Sequence, residues 1–362
     1  MSLTQVPSGM FQTTAQYYGF KNRIINGGMV ISQYNGTSSV TPSGDAYFID
    51  RFRSGASQTS KLTWQQNAGS VTPPAGFTNY IGVKPNATVS LGSGDYFQML
   101  QRIEGFNIAD LGWGTANAKT VTLSFWVYSN VTGLFGGSLE NGSETRSYPY
   151  SYTISAANTW QYVTITISGD TSGTWATDNS KGISINWNFG CGSTYTGTAG
   201  AWASAQYFAP TGVTSIMGST SNYMYFTGVQ LEVGTQATSF DYRPYGTELA
   251  LCQRYYQQFA SGGSGSFYSI GVGNVQASGT NAYVAGFLKV TMRGSPSFSY
   301  SGTLGTDIKY NITGDATPSS LSADQINTDS YSLNVGVSGT GGQCVRLASF
   351  TTSGIVKFAS EL

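Results

Sequence analysis

The chain has 362 residues with 17 basic and 17 acidic side chains and no histidine, so only 9% of its residues carry a charge. Soluble domains usually carry about 25%. The lack of histidine excludes Ser-His-Asp and Cys-His catalysis and histidine-ligated zinc within the chain. The net charge of zero argues against a nucleic acid or an anionic membrane as partner. Because neither a secretory signal nor a long apolar run is visible, we expect no membrane insertion.

The length predicts two domains, at about 150 residues each, and the aromatic content of 14% argues against a disordered chain. The three cysteines, Cys191, Cys252 and Cys344, are far apart and odd in number. They fit neither a disulfide framework nor a Cys-x-x-Cys metal site. We therefore expect free, partly buried thiols.

In chain order, the first element covers residues 97–103, which fit either a helix or a strand followed by a turn. Beyond it, apolar and polar residues alternate with a period of two, which is typical of half-buried antiparallel strands. Clusters of Gly, Ser, Asn and Pro predict turns between them. The strands predicted from this alternation cover residues 121–128, 162–168, 183–189, 223–231, 282–292, 331–337 and 345–350.

Between the predicted strands at 223–231 and 282–292, one segment predicts a helix. Residues 248–259 combine good helix formers with apolar side chains at helical spacing. Residues 262–266 (GGSGS) follow closely and have the composition of a linker. All seven tryptophans precede residue 203, so the parts before and after the linker have different cores. We place a domain boundary here.

Several segments resemble a family of tailed-phage proteins. Residues 22–33 (NRIINGGMVISQ) and 47–52 (YFIDRF) resemble the opening of a domain found in tail fibres and minor tail proteins. Residues 226–234 (FTGVQLEVG), 240–246 (FDYRPYG) and 249–256 resemble its close. In that family, the opening and closing strands bracket a jelly roll similar to carbohydrate-binding modules. The end of the chain, 354–362 (GIVKFASEL), is similar to fibre C-termini.

The expected fold class is therefore all-β: a jelly-roll β-sandwich, then a short helical connector and a small C-terminal β domain. The expected limits are an N-terminal attachment arm at 1–20, the jelly roll at 21–247, the helical connector and Gly/Ser linker at 248–266, and the C-terminal β domain at 267–362. Fibre proteins of this kind are generally homotrimers, so the resemblance also implies three identical subunits.

The resemblance also implies a candidate site for structural calcium and no other cofactor. Jelly-roll carbohydrate modules commonly hold calcium between their first and last strands, which carries over here to Asn26 and Glu232, with Asp50 or Asp241 as helpers. Such oxygen ligands suit calcium. The alternative is that Glu232 and Asp241 form buried ion pairs at the strand ends. The arginines available for such pairs are Arg23, Arg51 and Arg243.

Residues 182–231 contain no formally charged side chain but hold aromatic rings among Ser, Thr, Asn and Gln. Neutral glycans are bound by contacts with aromatic faces and by hydrogen bonds from amides and hydroxyls. Residues 190–200 predict an exposed loop. The predicted glycan-binding residues are Trp187, Tyr195, Trp202 and Tyr207, and the same stretch holds Tyr223 and Tyr225. Core packing and subunit contacts remain the alternatives for these rings.

A glycan-cleaving site would need two carboxylates about 5–9.5 Å apart. The candidates are Glu140 and Glu144 in one loop, and Asp170 and Asp178 on either side of Trp175. We interpret these four acids as solvated loop charges and expect no catalysis.

The predicted function is that of a virion fibre or adhesin, a tail fibre that binds host-surface glycans during attachment and contacts other virion proteins through its N-terminal arm. Its expected location is the virion, assembled in the host cytoplasm. The alternatives are a capsid decoration or head-fibre protein that stabilises the particle, and a polysaccharide-cleaving tail fibre.

Overall fold

The structure is a computed structural model that describes residues 20–261 and 267–362. The chain divides into two compact units between Arg243 and Pro244. The expected attachment arm at 1–20 lies outside the described residues, apart from Phe20. In the part of the chain that is described, no helix has the length and apolar character needed to cross a membrane.

The first unit consists of antiparallel strands in two main sheets. Its strands are β1 (Ala46–Ile49), β2 (Phe52–Ala56), β3 (Leu62–Gln66), β4 (Ile81–Pro85), β5 (Tyr96–Glu104), β6 (Val121–Ser129), β7 (Gly133–Asn141), β8 (Ser147–Ile154), β9 (Gln161–Ile167), β10 (Lys181–Cys191), β11 (Thr196–Gly197), β12 (Ala209–Pro210) and β13 (Met224–Val233). The six-stranded sheet has the order β1-β2-β5-β10-β7-β8, and the five-stranded sheet has the order β3-β4-β13-β6-β9. The short strands β11 and β12 pair in parallel.

The two sheets pack face to face around one aromatic core. Trp187 of the six-stranded sheet contacts Phe125 and Phe226 of the five-stranded sheet, with ring centroids 5.9 and 6.3 Å apart. All three side chains are fully buried. Burial of such large apolar surfaces supplies the main favourable free energy of folding. The first unit is a jelly-roll β-sandwich, and the expected all-β fold class is confirmed.

The opening and closing segments of the first unit lie side by side. The backbone N–H of Arg23 donates to Leu231 O at 2.9 Å. The side chain of Asn22 links the same segments, since its Nδ2 donates to Val229 O and its Oδ1 accepts the N–H of Leu231. The two ends of the motif that carries the family resemblance are therefore joined directly in space.

The second unit begins with the helix α1 (Tyr245–Gln253) and is otherwise built of antiparallel strands. These are β14 (Tyr256–Phe259), β15 (Tyr268–Val275), β16 (Asn281–Phe287), β17 (Ser297–Ser301), β18 (Ile308–Asn311), β19 (Asp315–Ala316), β20 (Leu321–Ile326), β21 (Ser330–Gly336), β22 (Cys344–Ser349) and β23 (Ile355–Ala359). They form a three-stranded sheet, β14-β23-β17, and a seven-stranded sheet, β19-β18-β22-β15-β16-β21-β20. A second hydrophobic core, around Phe259 and Phe358, lies in this unit.

The expected connector at 248–266 differs from the structure in its second half. The helix starts at Tyr245 and ends at Gln253, and residues 256–259 form the strand β14, which pairs with β23. The division between the units therefore falls at residue 243 rather than 247. Residues 97–103, for which helix and strand were both open, lie in the strand β5, and two short 3-10 turns follow. As expected, none of the three cysteines forms a disulfide; Cys252 is buried and Cys191 partly buried, but Cys344 is exposed.

Candidate binding groove

A groove of about 290 Å³ lies on the outer face of the six-stranded sheet. Alternate residues of β5 and β10 point to this face, because their neighbours in sequence point into the core. Gln98 and Asn186 thus face the groove, while Phe97 and Trp187 are fully buried on the opposite face. Gly55 on the neighbouring strand β2 leaves room for the Gln98 side chain, because a Cβ at residue 55 would lie only 3.2 Å from Gln98 Nε2.

Three aromatic rings line one wall of the groove. Tyr96 comes from the start of β5, and Tyr195 and Phe208 come from the segment between β10 and β13. The ring centroid of Tyr96 lies 5.5 Å from that of Tyr195 and 4.8 Å from that of Phe208. Tyr195 and Phe208 stack with a centroid distance of 4.8 Å. Tyr96 and Tyr195 are partly exposed and Phe208 is buried, so the two tyrosines offer ring surface to a ligand.

Buried polar side chains form the floor. Asn186 Nδ2 donates to Ser138 Oγ at 2.8 Å and to Glu140 Oε1 at 2.9 Å, and its Oδ1 accepts the N–H of Ser138. Gln98 is only 5% exposed, and its Oε1 has no hydrogen-bond partner within the described part of the chain. A buried acceptor without a partner costs about 1–3 kcal/mol. A ligand that donates a hydrogen bond to Gln98 would recover that cost.

The two glutamates in the groove have opposite electrostatic environments. Glu140 is 3% exposed, and burial raises its pKa from 4.5 to about 7. Burial also opposes ionisation of Glu144, but the hydrogen bond and charge of Lys181 outweigh it and lower the pKa of Glu144. Lys181 Nζ lies 2.5 Å from Glu144 Oε1, and Gln206 Nε2 donates to Glu144 Oε2 at 2.9 Å. At neutral pH the groove therefore carries one ionised, paired glutamate beside one that is partly protonated.

The structure brings one of the four predicted glycan-binding residues, Tyr195, to this groove. Trp187 is fully buried between the sheets, so its ring is not available to a surface ligand. Trp202 is half-buried against Trp113 and Trp175, with ring centroids 5.4 Å away in both cases, and its Nε1 donates to Ser168 O.

Tyr207, the fourth predicted residue, lies over a glycine backbone. A Cβ at Gly197 would meet the ring of Tyr207 at 2.3 Å, so the ring and this backbone are in direct contact. The backbone N–H of Tyr207 donates to Ser147 Oγ at 3.1 Å. Its side chain is half-buried and supports the segment that carries Phe208.

The predicted calcium ligands already accept hydrogen bonds. Asn26 is fully buried, and its Oδ1 accepts the N–H of Ile31 at 2.9 Å. Glu232 Oε1 accepts from Gln230 Nε2 and from the N–H of Thr238, whose hydroxyl donates to Oε2 at 2.6 Å. A cation would have to displace these donors. Within residues 20–261 and 267–362, no cluster of three or more acidic or cysteine side chains suits a metal ion. Calcium at this pair stays a prediction.

The alternative of buried ion pairs at the strand ends is met only in part. Asp241 Oδ2 lies 3.7 Å from Arg243 Nε, but the Asp241 side chain is 31% exposed. Arg23 instead binds Asp110 in a bidentate arrangement, with N–O distances of 2.9 and 2.7 Å. The side chain of Arg51 donates to the backbone oxygen of Arg102 at 2.5 Å.

The interpretation of the four candidate acids as solvated loop charges is wrong for two of them. Glu140 lies in the strand β7 and is buried in the groove, as described above. Asp170 is 2% exposed and binds Arg146 through both oxygens at 2.7 Å. Asp178 accepts hydrogen bonds from Ser180 and is exposed. Glu144 is also partly exposed, although it is paired with Lys181.

Sequence reasoning missed most of the groove, namely Tyr96, Gln98, Arg102, Asn186, Gln206 and Phe208. A signal existed for part of it. If residues 96–104 are treated as a strand, Tyr96, Gln98 and Arg102 fall on one face by alternation. Gln206 and Phe208 carry no such signal, because they reach the groove through the irregular segment between β10 and β13.

No protein-family model matches the sequence, and no curated protein matches it. Among solved structures, the chain is similar to the enzymatically active domain of tailspike protein 4 of bacteriophage CBA120, at 12% identity and a TM-score of 0.32. That match covers 59% of this chain and 21% of the tailspike, so the chain spans about a fifth of that protein's length.

Two structures from Clostridium thermocellum are also similar. One contains the CBM22-1 and GH10 modules of endo-1,4-β-D-xylanase 10B complexed with xylohexaose, at 13% identity and a TM-score of 0.29, over 59% of this chain and 32% of that one. The other is the family 11 carbohydrate-binding module of a cellulosomal cellulase, at 10% identity and a TM-score of 0.26, over 56% of this chain and 99% of that one. The strand order of its two sheets defines the jelly roll of the first unit.

Proposed function

We propose that the first unit binds carbohydrate in the groove on its six-stranded sheet. The observation that carries the proposal is the meeting of the rings of Tyr96 and Tyr195 with the buried amides of Gln98 and Asn186 in one groove. Sugars present C–H faces, which pack on aromatic rings, and hydroxyl groups, which pair with amides. Polar side chains make up more of the lining than apolar ones, which suits a ligand rich in hydroxyl groups.

The charges in the groove favour a neutral glycan. The acids beside it are either paired or partly protonated: Arg53 lies 2.6 Å from Asp45, Lys181 pairs with Glu144, and burial raises the pKa of Glu140 to about 7. The guanidinium of Arg102 also lines the groove, so the lining holds charges of both signs and favours neither a strongly anionic nor a strongly cationic ligand.

We further propose that the chain is a virion fibre or adhesin, a tail fibre that uses this groove to bind host-surface glycans during attachment. Its N-terminal residues 1–20 would bind other virion proteins, and its location would be the virion. The support is the sequence resemblance of the opening and closing segments together with the groove. The main alternative is a capsid decoration or head-fibre protein, and imaging the chain in an intact particle distinguishes the two.

The proposal includes a homotrimer. In the second unit, adjacent strands of the seven-stranded sheet expose apolar side chains on one face. Phe287 is 82% exposed and Val272 is 62% exposed, and Val272 pairs with Ala285 two residues from Phe287. Exposed large apolar side chains that cluster in this way are typical of protein interfaces. A contact between copies would bury them.

Glycan cleavage is the second candidate function, and one observation favours it. Glu140 and Glu144 line the same groove with pKa values shifted in opposite directions, as in acid and base pairs of glycosidases. Their oxygens, however, accept hydrogen bonds from Asn186, Ser138, Lys181 and Gln206. This arrangement fixes both side chains, so we favour binding without cleavage.

The experiment is glycan binding by the purified full chain, on an array of neutral bacterial-surface glycans and on host cells. We expect Tyr195→Ala and Gln98→Ala each to weaken binding about tenfold, because each removes one contact worth about 1.4 kcal/mol. Tyr162→Ala is the matched control, since Tyr162 is 42% exposed and lies on the other sheet.

The same preparation separates binding from cleavage. Release of reducing sugar by the wild-type chain, abolished in Glu140→Gln, would establish the cleaving fibre. A chain that binds no glycan and no cell surface would contradict the adhesin, and a response to Tyr162→Ala equal to that of Tyr195→Ala would contradict the groove as the site.

A further inference from the structure

A second pocket lies on the outer face of the five-stranded sheet, opposite the groove. It also has a volume of about 290 Å³. Tyr225 on the central strand β13 pairs with Tyr128 on β6 and with Gly82 on β4. The rings of Tyr128 and Tyr223 stack on that of Tyr225 at centroid distances of 5.5 and 5.0 Å. The pocket opens beside this row of rings.

Two glycines shape the floor of the pocket. A Cβ at Gly82 would lie 2.9 Å from Tyr225 Cδ1, so the ring lies against the bare backbone of β4. A Cβ at Gly69 would lie 2.7 Å from the Tyr225 hydroxyl oxygen, and the φ of Gly69 is +70°, which side chains rarely adopt. Larger residues at either position would displace the ring and close the pocket.

Hydrogen bonds hold the wall of the pocket in place. Asn130 Nδ2 donates to Ser221 O at 3.0 Å, and Asn130 Oδ1 accepts the N–H of Tyr223 at 2.9 Å. Asn222 Nδ2 donates to Ile216 O at 2.9 Å, and the Tyr223 hydroxyl donates to Asn158 Oδ1 at 2.7 Å. A wall that is already ordered loses little conformational entropy when a ligand binds.

The lining of this pocket selects a class of ligand. Hydroxyl and amide side chains dominate it, including Gln65, Thr220 and Asn222, and its only charged side chain is Lys84, which is exposed. A purely apolar ligand would leave these polar groups without hydrogen-bond partners, and a cationic ligand would be repelled by Lys84. A polyol with an apolar face satisfies both the rings and the hydroxyl groups.

We propose that this pocket is a second saccharide site, which takes a sugar unit against the rings of Tyr223 and Tyr225. The pocket would bind the same class of ligand as the groove on the six-stranded sheet, but the two share no lining residue. Two sites on opposite faces of one sandwich would let a single chain bind two glycan strands or branches. Simultaneous binding of both raises the overall affinity without any new contact.

The test is isothermal titration of the full chain with xylohexaose, cellohexaose and maltohexaose as probes. For a probe that binds, we expect two sites per chain in the wild type. Tyr223→Ala should weaken one of them about tenfold. Ser221→Trp places a bulky side chain at the exposed wall and should block the same site, so the result does not depend on one variant. Tyr162→Ala again serves as the control on the same sheet face.

The outcomes distinguish this inference from the proposed function. If both hold, Gln98→Ala and Tyr223→Ala each weaken a different one of the two sites, and ligand slows hydrogen exchange in both 193–208 and 218–226. If only the second site exists, the wild type shows one site, which Tyr223→Ala weakens and Gln98→Ala leaves unchanged. Binding that is unchanged in Tyr223→Ala and Ser221→Trp, or no binding of any probe, overturns the inference.

Discussion

The burial of Glu140 predicts a stability that falls as the pH rises. Its pKa is raised from 4.5 to about 7 in the folded chain, chiefly by burial. Between these pH values the folded state holds a proton that the unfolded state has lost, so unfolding releases it and stability decreases with pH. The contribution of protonated Glu140 to the stability of the folded chain is complete below about pH 4.5 and is lost as the pH rises through 7.

Replacing Glu140 by Gln removes this titration. The amide is uncharged at every pH and has the shape of the protonated acid, so its oxygen can still accept from Asn186 Nδ2 and Ser138 Oγ. A pKa difference of about 2.5 at about 1.4 kcal/mol for each pKa unit gives a total of about 3–4 kcal/mol. Part of this change has occurred by pH 5, so relative to the wild type Glu140→Gln should gain about 2–3 kcal/mol of unfolding free energy between pH 5 and pH 8.5.

Urea unfolding followed by tryptophan fluorescence measures this change. All seven tryptophans lie between Trp64 and Trp202, so the signal reports on the first unit within the full chain. The comparison between pH values matters, because any constant offset from the substitution cancels. Parallel pH profiles of the wild type and Glu140→Gln would refute the reasoning.

Glu144→Gln is the matched control from the same hairpin. Lys181 holds the pKa of Glu144 below its usual value in spite of partial burial, so its contribution to stability is present above the unfolded pKa and is lost in acid. Glu144→Gln should therefore lose stability relative to the wild type at pH 8.5, and the loss should shrink as the pH falls. As the pH rises, the unfolding free energy relative to the wild type thus increases for Glu140→Gln and decreases for Glu144→Gln.

Four further predictions follow from single features of the two units. Trp187→Ala should lower the unfolding free energy by about 3–5 kcal/mol, measured in urea, because the side chain is fully buried; a stable variant that loses only glycan binding would contradict this. Asp170→Asn should cost about 3 kcal/mol, and a double-mutant cycle with Arg146→Met should show strong coupling; additive effects would mean that the pair contributes nothing. Phe287→Ser should dissociate the proposed homotrimer in sedimentation equilibrium, because Phe287 is 82% exposed; a monomeric wild type would exclude the trimer. If calcium binds at Asn26 and Glu232 as the resemblance implies, EGTA should lower Tm and added calcium should restore it; an unchanged Tm would mean that these oxygens only accept the hydrogen bonds already described.

The period-two pattern predicted the strands whose two faces differ most. In β6, β9, β10 and β13, apolar side chains alternate with Thr, Ser, Asn or Tyr, and the structure places strands there. Residues 256–259 (YQQF) lie in the segment that predicts a helix, because local composition does not distinguish a helix from a strand there. Their pairing with β23, about a hundred residues away in sequence, decides the outcome. Tertiary pairing of this kind overrides local propensity.

The groove was predictable only where its residues share a strand face or lie in a Gly-rich loop. Tyr195 was found because residues 190–200 indicate an exposed loop. Tyr96 and Gln98 could not be placed on a groove from the sequence, because residues 97–103 fit both a helix and a strand. The burial of Glu140 was not visible, since it depends on Asn186 and Gln206, which are distant in sequence. Non-local contacts therefore decide which acids and rings meet.

The last strand of the second unit has a consequence for the order in which this unit forms during synthesis. In the three-stranded sheet, β23 lies between β14 and β17, so the central strand is synthesised after both of its neighbours. Until β23 leaves the ribosome, β14 and β17 have no neighbour in that sheet and expose their edges. Contacts across such long stretches of chain form slowly, and exposed edges favour pairing with other chains. A ribosome stalled shortly before residue 355 would therefore hold an aggregation-prone nascent chain.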